Sequence, residues 1–118
     1  MIEINNLTRA EIDEGFLKGV AKGVLMGENR KEVGLSIALV DRARIRELNK
    51  KYRQKDKITD VLSFGDGLNE IVICPAVIKT KKELIRVLIH GILHILGYEH
   101  SKLMRQKEEY YYGKVIHY

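Results

Sequence analysis

Residues 84–96, Leu-Ile-Arg-Val-Leu-Ile-His-Gly-Ile-Leu-His-Ile-Leu, are apolar nearly all round a helix, yet they carry two histidines. A helix with that distribution is buried on most sides, and burying an imidazole is costly unless something satisfies it. His90 and His94 are four apart, so on a helix they share one face about a turn from each other. That arrangement lets two imidazoles chelate one ion. A catalytic zinc typically takes three protein ligands and keeps a fourth position for water, and His100 is the third donor. On a continued helix His100 would sit about 9 Å beyond His94 and point elsewhere. The helix must therefore break between them, and Gly97 is the residue type that ends helices in a left-handed turn. A closed structural site would want a fourth strong ligand. Cys74, the only cysteine, is remote in sequence; nothing requires it, and an open coordination is favoured. The fourth histidine, His117, is expected in a solvated tail.

The histidine spacing is that of the metzincin signature, H-E-x-x-H-x-x-G-x-x-H. Positions 90, 94, 97 and 100 match it, but the glutamate that serves those proteases as general base is Gly91 here. General acid–base help is worth roughly a hundred- to ten-thousandfold, so peptide-bond chemistry is disfavoured.

At 118 residues the chain is expected to form one domain over 1–118. No run of 18 uncharged apolar residues is present, so no membrane span is expected. Met1-Ile2-Glu3-Ile4-Asn5 has neither a basic start nor a following apolar block, so no secretory signal is visible. With a single cysteine there is no intramolecular disulfide, and a cytoplasmic location is expected. The net charge of +5 is compatible with a polyanionic partner without requiring one.

Ile2 to Asn5 alternates as a strand. Thr8-Arg9-Ala10-Glu11 has the pattern of a capping box opening a helix with Ile12, Phe16, Val20 and Val24 inward, ended by Gly27 and Asn29. Val33 to Val40 reads as a buried strand, and Asp41 as the cap of a second helix carrying Ile45 and Leu48 inward. Val61 to Phe64 and Glu70 to Cys74 read as strands around a Gly65-Asp66-Gly67 turn. Thr80-Lys81-Lys82-Glu83 is a second capping box, opening the histidine helix, and a last helix is expected from about Ser101 to Gly113. The order of elements predicts an α+β fold: a small mixed sheet packed with helices, its central buried helix carrying the metal-binding histidines.

Asn49-Lys50-Lys51-Tyr52-Arg53, Thr59-Asp60-Val61-Leu62-Ser63-Phe64, Asn69-Glu70-Ile71 and the histidine cluster occur in that order. Together they resemble the YbeY family of bacterial metal-dependent endoribonucleases, over roughly residues 35 to 110. Ile58 stands where that family usually has proline, Asn69 where it has glycine, and Glu99 where it has aspartate. The resemblance implies one zinc ion on His90, His94 and His100, with Arg53 as a catalytic residue. It further implies cleavage of single-stranded RNA in 16S ribosomal RNA 3′-end maturation and ribosome quality control, with the small subunit as partner.

The residues agree in kind, because a guanidinium presents a fixed fork of donors suited to phosphate. Lys55, Lys57 and the Arg42–Arg46 stretch would add non-specific attraction. Two routes fit: water attacking phosphorus, or internal attack by the RNA 2′-hydroxyl. The candidate proton acceptors are the bound water and Glu99. Two rival readings are a metal-dependent hydrolase of a non-RNA substrate, and a non-catalytic ribosome-associated factor with a structural zinc. Three imidazoles suit zinc but also nickel, cobalt and copper.

Overall fold

The sequence folds into a four-stranded mixed sheet with helices on both faces, in the order expected from its hydrophobic pattern. The structure, a computed structural model, describes residues 1–116; His117 lies outside them. The elements are β1 (Ile2–Asn6), α1 (Glu14–Gly27), β2 (Leu35–Leu39), α2 (Arg42–Arg53), β3 (Val61–Phe64), β4 (Glu70–Ile73), a 3₁₀ turn (Pro75–Val77), α3 (Lys81–Ile95) and α4 (Lys102–Ile116). The sheet order is β1-β2-β4-β3. The pairs β1–β2 and β2–β4 are parallel, and β3 pairs antiparallel with β4 as an edge strand. Among the described residues no helix is long and apolar enough to cross a membrane.

Strand alternation assigns each face its partner helices. Ile37, Leu39, Ile71 and Ile73 are fully buried on the larger core, shared with α1, α3 and α4. Leu62, Val72 and Cys74 point the other way and pack with Ile45 of α2. Cys74 is thus core packing away from the histidines. Because β3 is the edge, the end of α2 and the middle of α3, on opposite faces, both reach its rim.

Local chemistry explains the starts of α1, α2 and α3 and one difference from expectation. Asp41 caps α2 through Arg44 N at 2.8 Å, and Thr80 caps α3 through Glu83 N at 3.0 Å. The Thr8–Glu11 pattern, however, does not open α1. Thr8 donates its hydroxyl to Asn6 Oδ1 at 2.6 Å and accepts from Ala10 N at 3.1 Å, closing a local turn. The cap is Asp13, whose carboxylate accepts from Phe16 N at 3.0 Å. Pattern reading placed the helix start about one turn early because threonine serves turns as readily as caps. The loop from β3 to β4 needs left-handed residues at Asp66, Gly67 and Asn69, with φ of +52°, +96° and +49°. Asparagine tolerates that region better than most side chains, which explains how it can stand where the resembling family has glycine.

Asp13→Ala is expected to cost about 1 kcal/mol in urea denaturation, whereas Glu11→Ala should stay within about 0.5 kcal/mol. The reverse ranking would restore the Thr8 box as the start of α1.

Candidate metal centre and its basic wall

His90 and His94 project from one face of α3, and the helix ends where the third ligand needs it to. Gly97 has φ +101°. Its N–H donates to His94 O at 3.0 Å, and the Tyr98 N–H reaches back to Leu93 O at 3.0 Å. This paired arrangement satisfies the last carbonyls of the helix and reverses the chain. It brings His100 back against the pair, with ring centroids 5.1 Å from His90 and 4.7 Å from His94. One donor nitrogen from each of the three rings lies within 4.8 Å of the others. The three histidines picked out in the sequence are therefore brought together.

The hydrogen bonds around the rings fix their tautomers. His94 Nδ1 lies 3.0 Å from Tyr98 O, and His90 Nδ1 lies 2.8 Å from Glu108 Oε1. A carbonyl and a carboxylate only accept, so both Nδ1 atoms carry the proton. Both Nε2 atoms then present lone pairs, and they stand 3.0 Å apart. Neutral rings in these tautomers cannot hydrogen-bond to each other there. Two lone pairs converging in this way suit a cation held between or beside the nitrogens. Two nitrogens at about 2.0–2.1 Å from one tetrahedral zinc would be about 3.3–3.4 Å apart, so only a small adjustment separates this geometry from coordination. Burial, reinforced by the neighbouring His90, holds His94 below the ordinary histidine range, so the ring is neutral at pH 7. The residues present fit a metal ion.

Glu108 was not singled out in the sequence. It comes from α4, 18 residues beyond His90, and an acidic residue in a polar helix stripe gives no local signal of its partner. Carboxylates of this kind orient ligand histidines and raise their basicity. Glu28 is a second residue the sequence did not mark. Its side chain is only 6% exposed and accepts from Lys107 Nζ at 3.0 Å. It also accepts from the hydroxyl of Tyr98 at 2.5 Å and from that of Tyr111. Glu28 thereby ties the end of α1 to α4 and to the turn that delivers His100. Burial alone would raise its pKa, but the donors Tyr111, Tyr98 and Lys107 together outweigh it and hold the carboxyl below its ordinary range.

Gly91 has a structural reason. A Cβ there would stand 3.1 Å from Ser63 Oγ and 3.3 Å from two Ile71 methyl carbons. Position 91 faces the sheet, so a glutamate has no room in this packing.

Facing the histidines is a cavity of about 550 Å³ that curls over the rim of β3, lined by Asn49, Arg53, Lys55, Lys57 and residues 59 and 61–63 along with the triad. Arg53, at the end of α2, is fixed on three sides. It donates to Ser63 O at 2.7 Å and to Tyr52 O at 3.2 Å, and its guanidinium lies 4.8 Å from the Phe64 ring centroid. The rest of its donor fork is uncommitted to those carbonyls. Asn49, buried, donates to Lys57 O at 3.0 Å and holds the basic loop against α2. The structure thus brings Arg53 to the triad's cavity. Glu99 is exposed in the turn before His100 and does not line that cavity.

A family model described as Endoribonuclease YbeY matches residues 3–114. The chain is 40% identical to Endoribonuclease YbeY of Sulfurihydrogenibium sp. (strain YO3AOP1), over 77% of this chain and 72% of that protein. It is 36% identical to Endoribonuclease YbeY of Carboxydothermus hydrogenoformans, over 92% of this chain and 93% of that one. The solution structure of a Thermotoga maritima protein superposes with a TM-score of 0.72 at 32% identity, covering 98% of this chain and 89% of that one.

Two predictions follow the geometry. Glu108→Gln keeps the shape but weakens the acceptor at His90, and is expected to lower metal affinity about ten- to a hundredfold in a competitive chelator titration; unchanged affinity would remove Glu108 from the centre. Because the folded Glu28 carboxyl titrates low, its stabilisation is complete above the unfolded value of about 4.3 and is lost as pH falls through the folded one. Glu28→Gln should lower stability at neutral pH by about 1–3 kcal/mol and flatten its decline in acid, read by urea denaturation from pH 7 to 3.

Proposed function

The chain belongs to the YbeY family of metal-dependent endoribonucleases, and from that premise we propose a zinc centre on His90, His94 and His100 that cleaves single-stranded ribosomal RNA. The observation that carries the reading is the juxtaposition of three converging imidazoles and an anchored guanidinium across one cavity. When bound, the metal supplies Lewis acidity toward a phosphate oxygen and lowers the pKa of a water toward about 7.

The chain's own residues supply the rest. Arg53 binds the scissile phosphate through its free donors and offsets charge growing on the phosphoryl oxygens. Its contacts with Ser63 O and Phe64 hold that fork in place before substrate arrives, so little is lost in ordering it. Lys55 and Lys57 draw the strand along the basic wall. Asn49 keeps that wall seated on α2. Glu108 and the Tyr98 carbonyl keep both ligand protons on Nδ1 and the Nε2 lone pairs inward. Glu99 belongs to this reading as a solvent-side carboxylate beside His100, able to take a proton from the outer edge of the site. A role at the small ribosomal subunit, in 16S 3′-end maturation and quality control, extends the same reading. A cytoplasmic setting goes with it.

A non-catalytic factor with a structural zinc would not need Arg53 ordered in front of the histidines. A peptidase would need a base where Gly91 abuts the sheet.

Arg53→Ala is expected to reduce kcat/KM on single-stranded RNA about a hundredfold or more while metal content and the folded spectrum stay unchanged. Casein assayed beside RNA completes the test. Chelator-sensitive casein hydrolysis without RNA cleavage, or full RNase activity in Arg53→Ala, would overturn the proposal.

A further inference from the structure

The wall that carries Arg53 continues outward into two aromatic rings. The Tyr52 ring stands edge-on to Phe64, with centroids 5.4 Å apart and an interplanar angle of 73°. Phe64 in turn lies under the Arg53 guanidinium. The two rings differ in burial. Phe64 is packed against the smaller core beneath α2, while Tyr52 is 47% exposed. Packing therefore accounts for Phe64 and leaves much of Tyr52 facing solvent. Cations outnumber acids around it: Lys51 Nζ is 5.2 Å from the Tyr52 ring centroid, and Lys50, Lys55 and Lys57 are exposed nearby in the chain, where Asp56 pairs with Arg46 and lies 4.0 Å from Lys50.

We propose that Tyr52 is a stacking platform for an unpaired nucleobase on the strand whose phosphate Arg53 holds. The inference rests on the phosphate role given to Arg53 above. Base–aromatic stacking tolerates any sequence, because every base has a π face, and it works beside cations that track the backbone. A base inside a duplex has both faces covered by its neighbours, so only an unpaired one gains from the ring. The platform thus supplies a physical cause for a single-strand preference that the metal and the guanidinium alone do not. Residues 52 and 53 are adjacent, and Phe64 bridges their side chains in steps of 5.4 and 4.8 Å. A base and a phosphate of neighbouring nucleotides fit that reach. Lys51, free to rotate at the surface, can leave the ring for a phosphate as the base arrives.

The chain contains no tryptophan, so Tyr52→Trp places its sole indole at the platform. Metal-loaded Tyr52→Trp protein is mixed in a stopped-flow instrument with mixed-sequence single-stranded RNA, with a duplex of equal length, and with heparin as a base-free polyanion. Saturable quenching by the single strand, with little from the other two, is the expected result. In steady-state cleavage Tyr52→Ala should raise KM about ten- to a hundredfold, and Tyr52→Phe should recover the lost affinity. Equal quenching by heparin, no quenching by RNA that the protein still cleaves, or a wild-type KM in Tyr52→Ala would overturn the platform and leave the endoribonuclease reading standing. Failure of the wild-type chain to cleave any RNA would overturn both. Should Tyr52→Ala not fold, the quenching experiment decides alone.

Discussion

Two imidazole lone pairs aimed at each other across 3.0 Å are the constraint on which the rest of this molecule depends. With both Nδ1 protons committed outward, the two Nε2 atoms are left facing a common point suited to a shared cation. Everything that keeps the rings from turning away is therefore part of the centre. Glu108 restrains His90 from α4, and the Tyr98 carbonyl restrains His94 from the turn after α3. The turn does double duty: its glycine ends the helix, and its carbonyl fixes a ligand tautomer. Glu28, three hydrogen bonds deep between α1 and α4, then fastens that turn to the body of the fold.

The edge position of β3 joins this centre to its basic wall. Helices α2 and α3 lie on opposite faces of the sheet, and their functional side chains could not meet through its middle. At the rim they can. Arg53 comes over from one side and is held on the Ser63 carbonyl, while Gly91 lets α3 press close enough from the other side that Ser63 Oγ would crowd a Cβ. The glycine in the histidine motif is thus a packing requirement of the site. The absence of a protease base there follows from geometry as well as from composition.

Much of this was legible in the chain itself, where the governing contacts are local. The i, i+4 histidines, the Gly97 break, the Thr80 and Asp41 caps, the alternation in β1 and the Gly65-Asp66-Gly67 turn between β3 and β4 each depend on a few neighbouring residues. The misplaced start of α1 was also local: Thr8 had two competing uses, and Asn6 decided between them. Glu108, Glu28 and the Phe64 contact of Arg53 were not legible, because each depends on a partner 11 to 83 residues away. No sequence period marks an acid whose partner lies on another helix. Glu99 shows the same limit from the other side, since adjacency to a ligand in sequence did not bring it into the cavity lining.

Elemental analysis of the untagged chain, beside the His94→Ala variant, tests the metal centre most directly. One equivalent of zinc per wild-type chain is expected, with loss of the metal in a variant that keeps its folded circular dichroism spectrum. Wild-type protein that stays metal-free after exposure to zinc, or a His94→Ala variant that retains a full equivalent, would contradict the account.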